Sequence, residues 1–123
     1  MNAYEVGKKL VELCNQNKNM EAMETLYAPD IVSVEAIELP WGPREARGYQ
    51  AVVDKSKGWY ESHTIHSQVA EGPWPHGDRF IVRFKYDVTN KPSGQRMQLD
   101  EMGLFTVENG KVVREEFFYP TGP

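Results

Sequence analysis

The chain has 123 residues, 26% of them charged and 40% hydrophobic, which are the proportions of an ordinary globular domain and suit one folding unit over 1–123. Its formal charge of −4, with no run of Lys and Arg, weighs against nucleic acid or an anionic membrane as partner, because either needs a basic patch. No stretch approaches the roughly 20 apolar residues that span a bilayer.

The apolar positions Val6, Leu10, Leu13 and Cys14 predict an amphipathic helix from Ala3 to Asn17. Asn19 is expected to cap a second, shorter helix with Met20, Met23, Leu26 and Tyr27 as its apolar stripe and Pro29 as its stop. From Ile31 to Leu39 the pattern turns β-branched and reads as a strand, closed by Pro40, Gly42 and Pro43, with Trp41 on a loop. Gly48 opens a third helix, in which Val52, Ser56, Trp59 and His63 repeat at helical spacing while Lys55, Lys57 and Glu61 lie off that line. Four strands follow, at Thr64–Glu71, Phe80–Thr89, Arg96–Val107 and Lys111–Tyr119, with turn-rich segments between them. Trp74, between two prolines that rule out regular pairing, is read as shaping a hairpin tip or a dimer edge. The order ααβαββββ predicts an α+β domain in which a curved sheet wraps against helices.

Cys14 is the lone cysteine and so has no disulfide partner within the chain, and the N-terminus lacks the basic and apolar regions of a secretory signal. Both point to the cytoplasm. The three Trp, six Tyr and five Phe are many for a small acidic domain with a mean hydropathy of −0.60. Where those rings point decides what the protein does.

Three segments carry a family resemblance: Asn19-Met20-Glu21-Ala22 through Leu26-Tyr27-Ala28-Pro29-Asp30-Ile31-Val32, then Gly48-Tyr49-Gln50-Ala51-Val52, then Phe105 through Asn109-Gly110 to Val113. In this order and spacing they resemble the SnoaL-like, polyketide-cyclase-like branch of the nuclear transport factor 2-like superfamily, over nearly the whole chain. The resemblance implies a cone, in which a bent antiparallel sheet is closed on one side by three helices around a mostly apolar cavity. It also implies a homodimer through the sheet's outer face. The superfamily holds isomerases, dehydratases, cyclases and non-catalytic members, so fold alone does not decide function.

Glu35 is the first candidate for chemistry. Ile31, Ser33, Glu35 and Ile37 share one strand face, and the resemblance places Glu35 where ketosteroid-isomerase-like relatives carry a general base. The alternative is a glutamate on the surface or paired with Arg44 or Arg47. The resemblance places Val11 where the relatives' first helix carries an oxyanion-binding tyrosine, so no phenol is available from that site. Glu101 and Glu115 form a second candidate pair if Phe105 and Val107, and Val113, Phe117 and Tyr119, face inward; Asp100 and Glu116 replace them if the parity is reversed. Two carboxyls in one apolar cavity repel, so one would hold a proton. His63 is a possible acid/base or hydrogen-bonding group, and its spacing to His66 is a weak metal pattern, so no metal is assigned. Tyr27, Trp41, Trp59, Phe84, Tyr86, Phe117 and Tyr119 are the candidate wall.

No phosphate loop, nucleophile elbow or coenzyme motif is present, and no cofactor is expected. Two functions remain open. One is cofactor-free acid/base chemistry on a small hydrophobic carbonyl compound, with Glu35 moving the proton and Glu101 or His63 in support. The other is a non-catalytic dimeric module for ligand binding or protein interaction.

Overall fold

The structure is a computed structural model and describes residues 1–121. Its elements are α1 (Ala3–Asn15), α2 (Asn19–Leu26), β1 (Tyr27–Val34), β2 (Glu45–Arg47), α3 (Tyr49–Ser62), β3 (His63–His76), β4 (Arg79–Asn90), β5 (Arg96–Glu108) and β6 (Lys111–Phe118). They build an α+β fold in which the six strands lie in the order β2-β1-β6-β5-β4-β3 and the helices cover one face of the sheet. The last four strands form an antiparallel meander, as the short turns predict. The sheet is nevertheless mixed, because β1 pairs with β6 in parallel.

A capping box starts α1: the Asn2 side chain accepts from the Glu5 amide at 2.9 Å, and the Glu5 carboxylate accepts from the Asn2 amide at 3.0 Å. Val6, Leu10, Leu13 and Cys14 are buried along one side of the helix. The start of α2 differs from the reading above. Lys18 holds the cap position, and the Asn19 side chain instead exchanges hydrogen bonds with Gln68 on β3. Met20 is exposed, while Ala22, Met23 and Leu26 face inward. The helix ends at Leu26, before Pro29, which lies inside β1. There the parallel pairing with β6 is interrupted between Tyr27 and Val32, so the missing proline N–H breaks no ladder bond.

Strand β1 stops at Val34 instead of Leu39, and Ile37 is exposed. Strand β3 continues through Pro73-Trp74-Pro75, pairing Trp74 with Ile81 and Pro75 with Phe80. The prolines are tolerated because β3 is the sheet's outermost strand and its pairing slips between Glu71 and Trp74. The hairpin tip is therefore Gly77–Asp78.

Asn109 and Gly110, both at positive φ (52° and 75°), turn β5 into β6. The register then skips one residue, from Val107 opposite Val112 to Thr106 opposite Arg114. This bulge at Val113 resets the side-chain alternation, so Val112 and Glu115 are both buried where an unbroken strand would have placed Val113 inside with Glu115. The core joins Phe80, Val82, Phe105, Val112 and Ile31 of the sheet to Val6, Leu10 and Val52 of the helices.

Candidate active site

The helices and the sheet's inner face enclose a cavity of about 620 Å³. Its wall includes Glu35, Glu101, Glu115 and His63, with Tyr27, Trp41, Trp59, Phe84, Tyr86, Phe117 and Tyr119. Inner parity on β5 runs Val107, Phe105, Gly103, Glu101. The reversed-parity alternatives lie in surface pairs, Asp100 with Arg83 and Glu116 with Arg114.

A chain of polar side chains crosses the cavity wall. Tyr119 donates its phenol hydrogen to Glu35 Oε1 at 2.9 Å, and the Lys55 ammonium donates to Glu35 Oε2 at 2.8 Å. Lys55 also donates to Ser33 Oγ, and Ser33 donates in turn to Glu115 Oε1 at 2.8 Å. The other Glu115 oxygen accepts from Tyr27. Lys55 further lies 5.4 Å from the centre of the Phe117 ring. Glu35 is thus paired with a lysine from α3, and Arg44 only reaches its backbone carbonyl, at 3.3 Å.

These groups compete for one cation. Burial pushes the Glu115 carboxyl above its ordinary range; Lys55 and the hydrogen bonds from Tyr27 and Ser33 pull it down, and burial wins. The carboxyl of Glu101 is pushed from 4.5 to about 7, first by burial and next by the charge of Glu35, against a smaller pull from Lys55. Among the described residues no side chain donates a hydrogen bond to it. Glu101 and Glu115 do not face each other: Phe105 is opposite Glu115, and Gly103 is opposite Phe117. Glu35 acts on Glu101 more strongly than Glu115 does.

His63 stands apart from this chain. Its Nδ1 lies 3.0 Å from the Trp59 carbonyl and its Nε2 3.4 Å from the Asn90 amide nitrogen, so the first nitrogen carries the proton and the second accepts. The ring stacks on Trp59 at 3.9 Å and meets Trp41 edge-on at 5.1 Å. His63 therefore serves as part of the aromatic wall. His66 is exposed and bonds Thr89 at 2.7 Å, and among the described residues no three His, Cys, Asp or Glu side chains cluster as metal ligands. The Cys14 thiol is pushed up to about 12, mainly by burial, so it is not a thiolate at neutral pH.

Residues 1–119 match the family described as SnoaL-like domain. The chain belongs to the SnoaL-like family. A solved structure from Mesorhizobium loti, named as a candidate SnoaL-like polyketide cyclase and also as a carbohydrate phosphatase, is 44% identical, with 97% of this chain and 100% of that chain covered and a TM-score of 0.91. A candidate SnoaL-like polyketide cyclase from Jannaschia sp. is 17% identical over 93% of this chain and 82% of that one, with a TM-score of 0.72. An NTF2-like protein from Burkholderia thailandensis is 19% identical over 98% and 92%, with a TM-score of 0.84. The last two share the fold. No curated protein matches the sequence.

In this SnoaL-like chain, sequence reasoning passed over Ser33 and Lys55. Ser33 carried a signal, since it lies between Ile31 and Glu35 on one strand face. Lys55 carried one too: three residues after Val52 and four before Trp59 is the inner side of a helix, but its charge assigned it to solvent. Val11 is not on the cavity wall, and the cavity phenols come instead from Tyr27, Tyr60, Tyr86 and Tyr119.

Proposed function

We propose that the cavity takes a small, mostly apolar carbonyl compound and moves a proton on it without a cofactor, as isomerases, cyclases, dehydratases and some hydrolases do. The observation that carries this reading is Glu101, an unpartnered carboxyl on the wall of a cavity of about 620 Å³ whose pKa lies near 7. A group that titrates at the working pH is available as base in one step and as acid in the next. In this reading Glu101 takes a proton from the carbon next to the carbonyl. Glu35 has a different part from the one first assigned to it: with both oxygens engaged, it holds Lys55 in place, and the ammonium lowers the energy of the developing enolate through its field. The wall's single lysine is committed to Glu35, which favours proton transfer over the phosphate chemistry in the Mesorhizobium relative's second name.

The test is hydrogen–deuterium exchange of 1-tetralone in D2O, followed by NMR. The protein should accelerate exchange, with a rate that rises with pH through about 7, and Glu101→Gln should lower the rate on the order of 10²-fold or more. Tetralone that binds without accelerated exchange would instead establish the second reading, a binding module. That reading is favoured by one observation: Glu35 and Glu115 are already satisfied within the chain.

We further propose that two copies pair through the outer face of the sheet. Trp74, Ile81, Met102 and Phe118 share that face and are all exposed, Trp74 by 54% and Phe118 by 52%. Exposed apolar area of this kind marks an interaction surface. Light scattering should give a dimer for the wild type and a monomer for Ile81→Asp/Phe118→Asp; a wild-type monomer at high concentration would contradict the pairing.

A further inference from the structure

Among the described residues the cavity lining carries the carboxyls of Glu35, Glu101 and Glu115, with Asp100 paired to Arg83, but one ammonium, Lys55, and no arginine. That ammonium is spent inside the wall, 2.8 Å from Glu35 and bonded to Ser33. Once Glu101 ionises, negative charge is therefore in excess where water is scarce, and a buried charge without a partner is costly. An anionic ligand would worsen the imbalance, while a cationic one would relieve it. The rings beside Glu101 point the same way. Phe84 lies directly across from Glu101 on β4, the Phe84 and Tyr86 rings stack with centres 6.2 Å apart, and Tyr86 meets Trp59 at 5.8 Å. Aromatic faces attract cations, and the cavity already holds its own cation, Lys55, beside the Phe117 ring.

We infer that the ligand carries a positively charged nitrogen, a protonated amine or a quaternary ammonium on an apolar or aromatic body, seated against Trp59 and Tyr86 within reach of Glu101. This deepens the proposed function and rests on the cavity being a ligand site. The groups whose charges bear on Glu101 are Glu35 at the end of β1, Lys55 on α3, Glu115 on β6, Tyr86 on β4 and Tyr119 beyond β6. The other titratable groups of the lining are His63 of β3, the un-ionised Cys14 of α1, Tyr27 of β1, Tyr60 of α3 and Asp100 of β5, which is paired with Arg83. A bound cation favours the ionised form of Glu101, so binding releases the proton that Glu101 holds below its midpoint, and the ligand arrives with the carboxylate ready as base.

Three probes of one shape separate the outcomes: 1-naphthylmethylammonium, 1-naphthalenemethanol and 1-naphthoate, titrated into the protein and followed by amide chemical shifts. At about pH 8 the ammonium should bind on the order of tenfold more tightly than the alcohol, with naphthoate weakest. At about pH 5.5 that advantage should shrink, and Glu101→Gln should reduce it at about pH 8 as well. An alcohol that binds as tightly as the ammonium at the higher pH overturns the cation inference and leaves the cavity as a ligand site. An advantage untouched by Glu101→Gln overturns the seat proposed for the nitrogen. Failure of all three probes overturns both this inference and the reading of the cavity as a ligand site.

Discussion

Replacing Lys55 with methionine is expected to destabilise the fold by about 3–5 kcal/mol near neutral pH, because it strands buried carboxylates without their cation. Lys55 and Glu35 are only 7% and 11% exposed, so water does little to replace the lost partner. Two further expectations separate this cause from simple loss of packing. Adding Glu35→Gln to the Lys55→Met background should recover part of the loss, since one stranded charge is removed. Lowering the pH to about 5 should also narrow the gap to wild type, as the stranded carboxyls take up protons. By contrast, breaking the exposed Arg47–Glu45 pair, 3.2 Å apart, should cost less than about 1 kcal/mol. Urea unfolding of these three variants and wild type checks the set. A Lys55→Met loss as small as that of the surface pair would show that the buried chain does not depend on its ammonium.

The second large effect has the opposite sign. Glu101→Gln should stabilise the protein above neutrality by up to about 3 kcal/mol while removing the proposed chemistry. In the folded chain the carboxyl titrates at about 7 against 4.5 for an ordinary glutamate, so between those values the folded state binds more protons than the unfolded one. Stability contributed by this group is therefore present at low pH and is lost as pH rises through that window. Gln carries no such penalty. Wild type and variant should have equal stability near pH 4.5 and diverge steadily until somewhat above pH 7. Parallel curves across the whole range would mean that the wild-type carboxyl is not held back from ionising. A residue kept at a cost in stability fits a site shaped for function rather than for packing.

Much of this arrangement was legible in the sequence because the signals were local. The spacing of Val6, Leu10 and Leu13 gave α1, the Asn109-Gly110 turn gave the last hairpin, and strand alternation put Glu35 on the same face as Ile31. The failures came where a long-range partner overruled a local rule. Lys55 looked like a solvent residue because its charge outweighed its place on the helix, and the carboxylate it pairs with, Glu35, lies twenty positions away. Pro73 and Pro75 argue against a strand until it is known that β3 is at the edge. Parallel pairing of β1 with β6 leaves no turn to read, since the two strands are joined through most of the chain. The bulge at Val113 is also silent in the sequence, yet it decides which neighbouring valine is buried while Glu115 still faces the cavity. Gly103, though, has a plain reason once the structure is known: a Cβ there would sit 2.7 Å from the Phe105 ring.

The central claim is that the cavity holds one carboxyl, Glu101, that titrates near neutrality because no side chain bonds it and Lys55 only partly offsets burial and the charge of Glu35. Side-chain carboxyl ¹³C NMR across a pH titration, with the Glu101 resonance assigned by its loss in Glu101→Gln, measures this directly. The account predicts a midpoint of about 7 that moves higher in Lys55→Met. A midpoint near 4.5, unchanged when Lys55 is replaced, would contradict it.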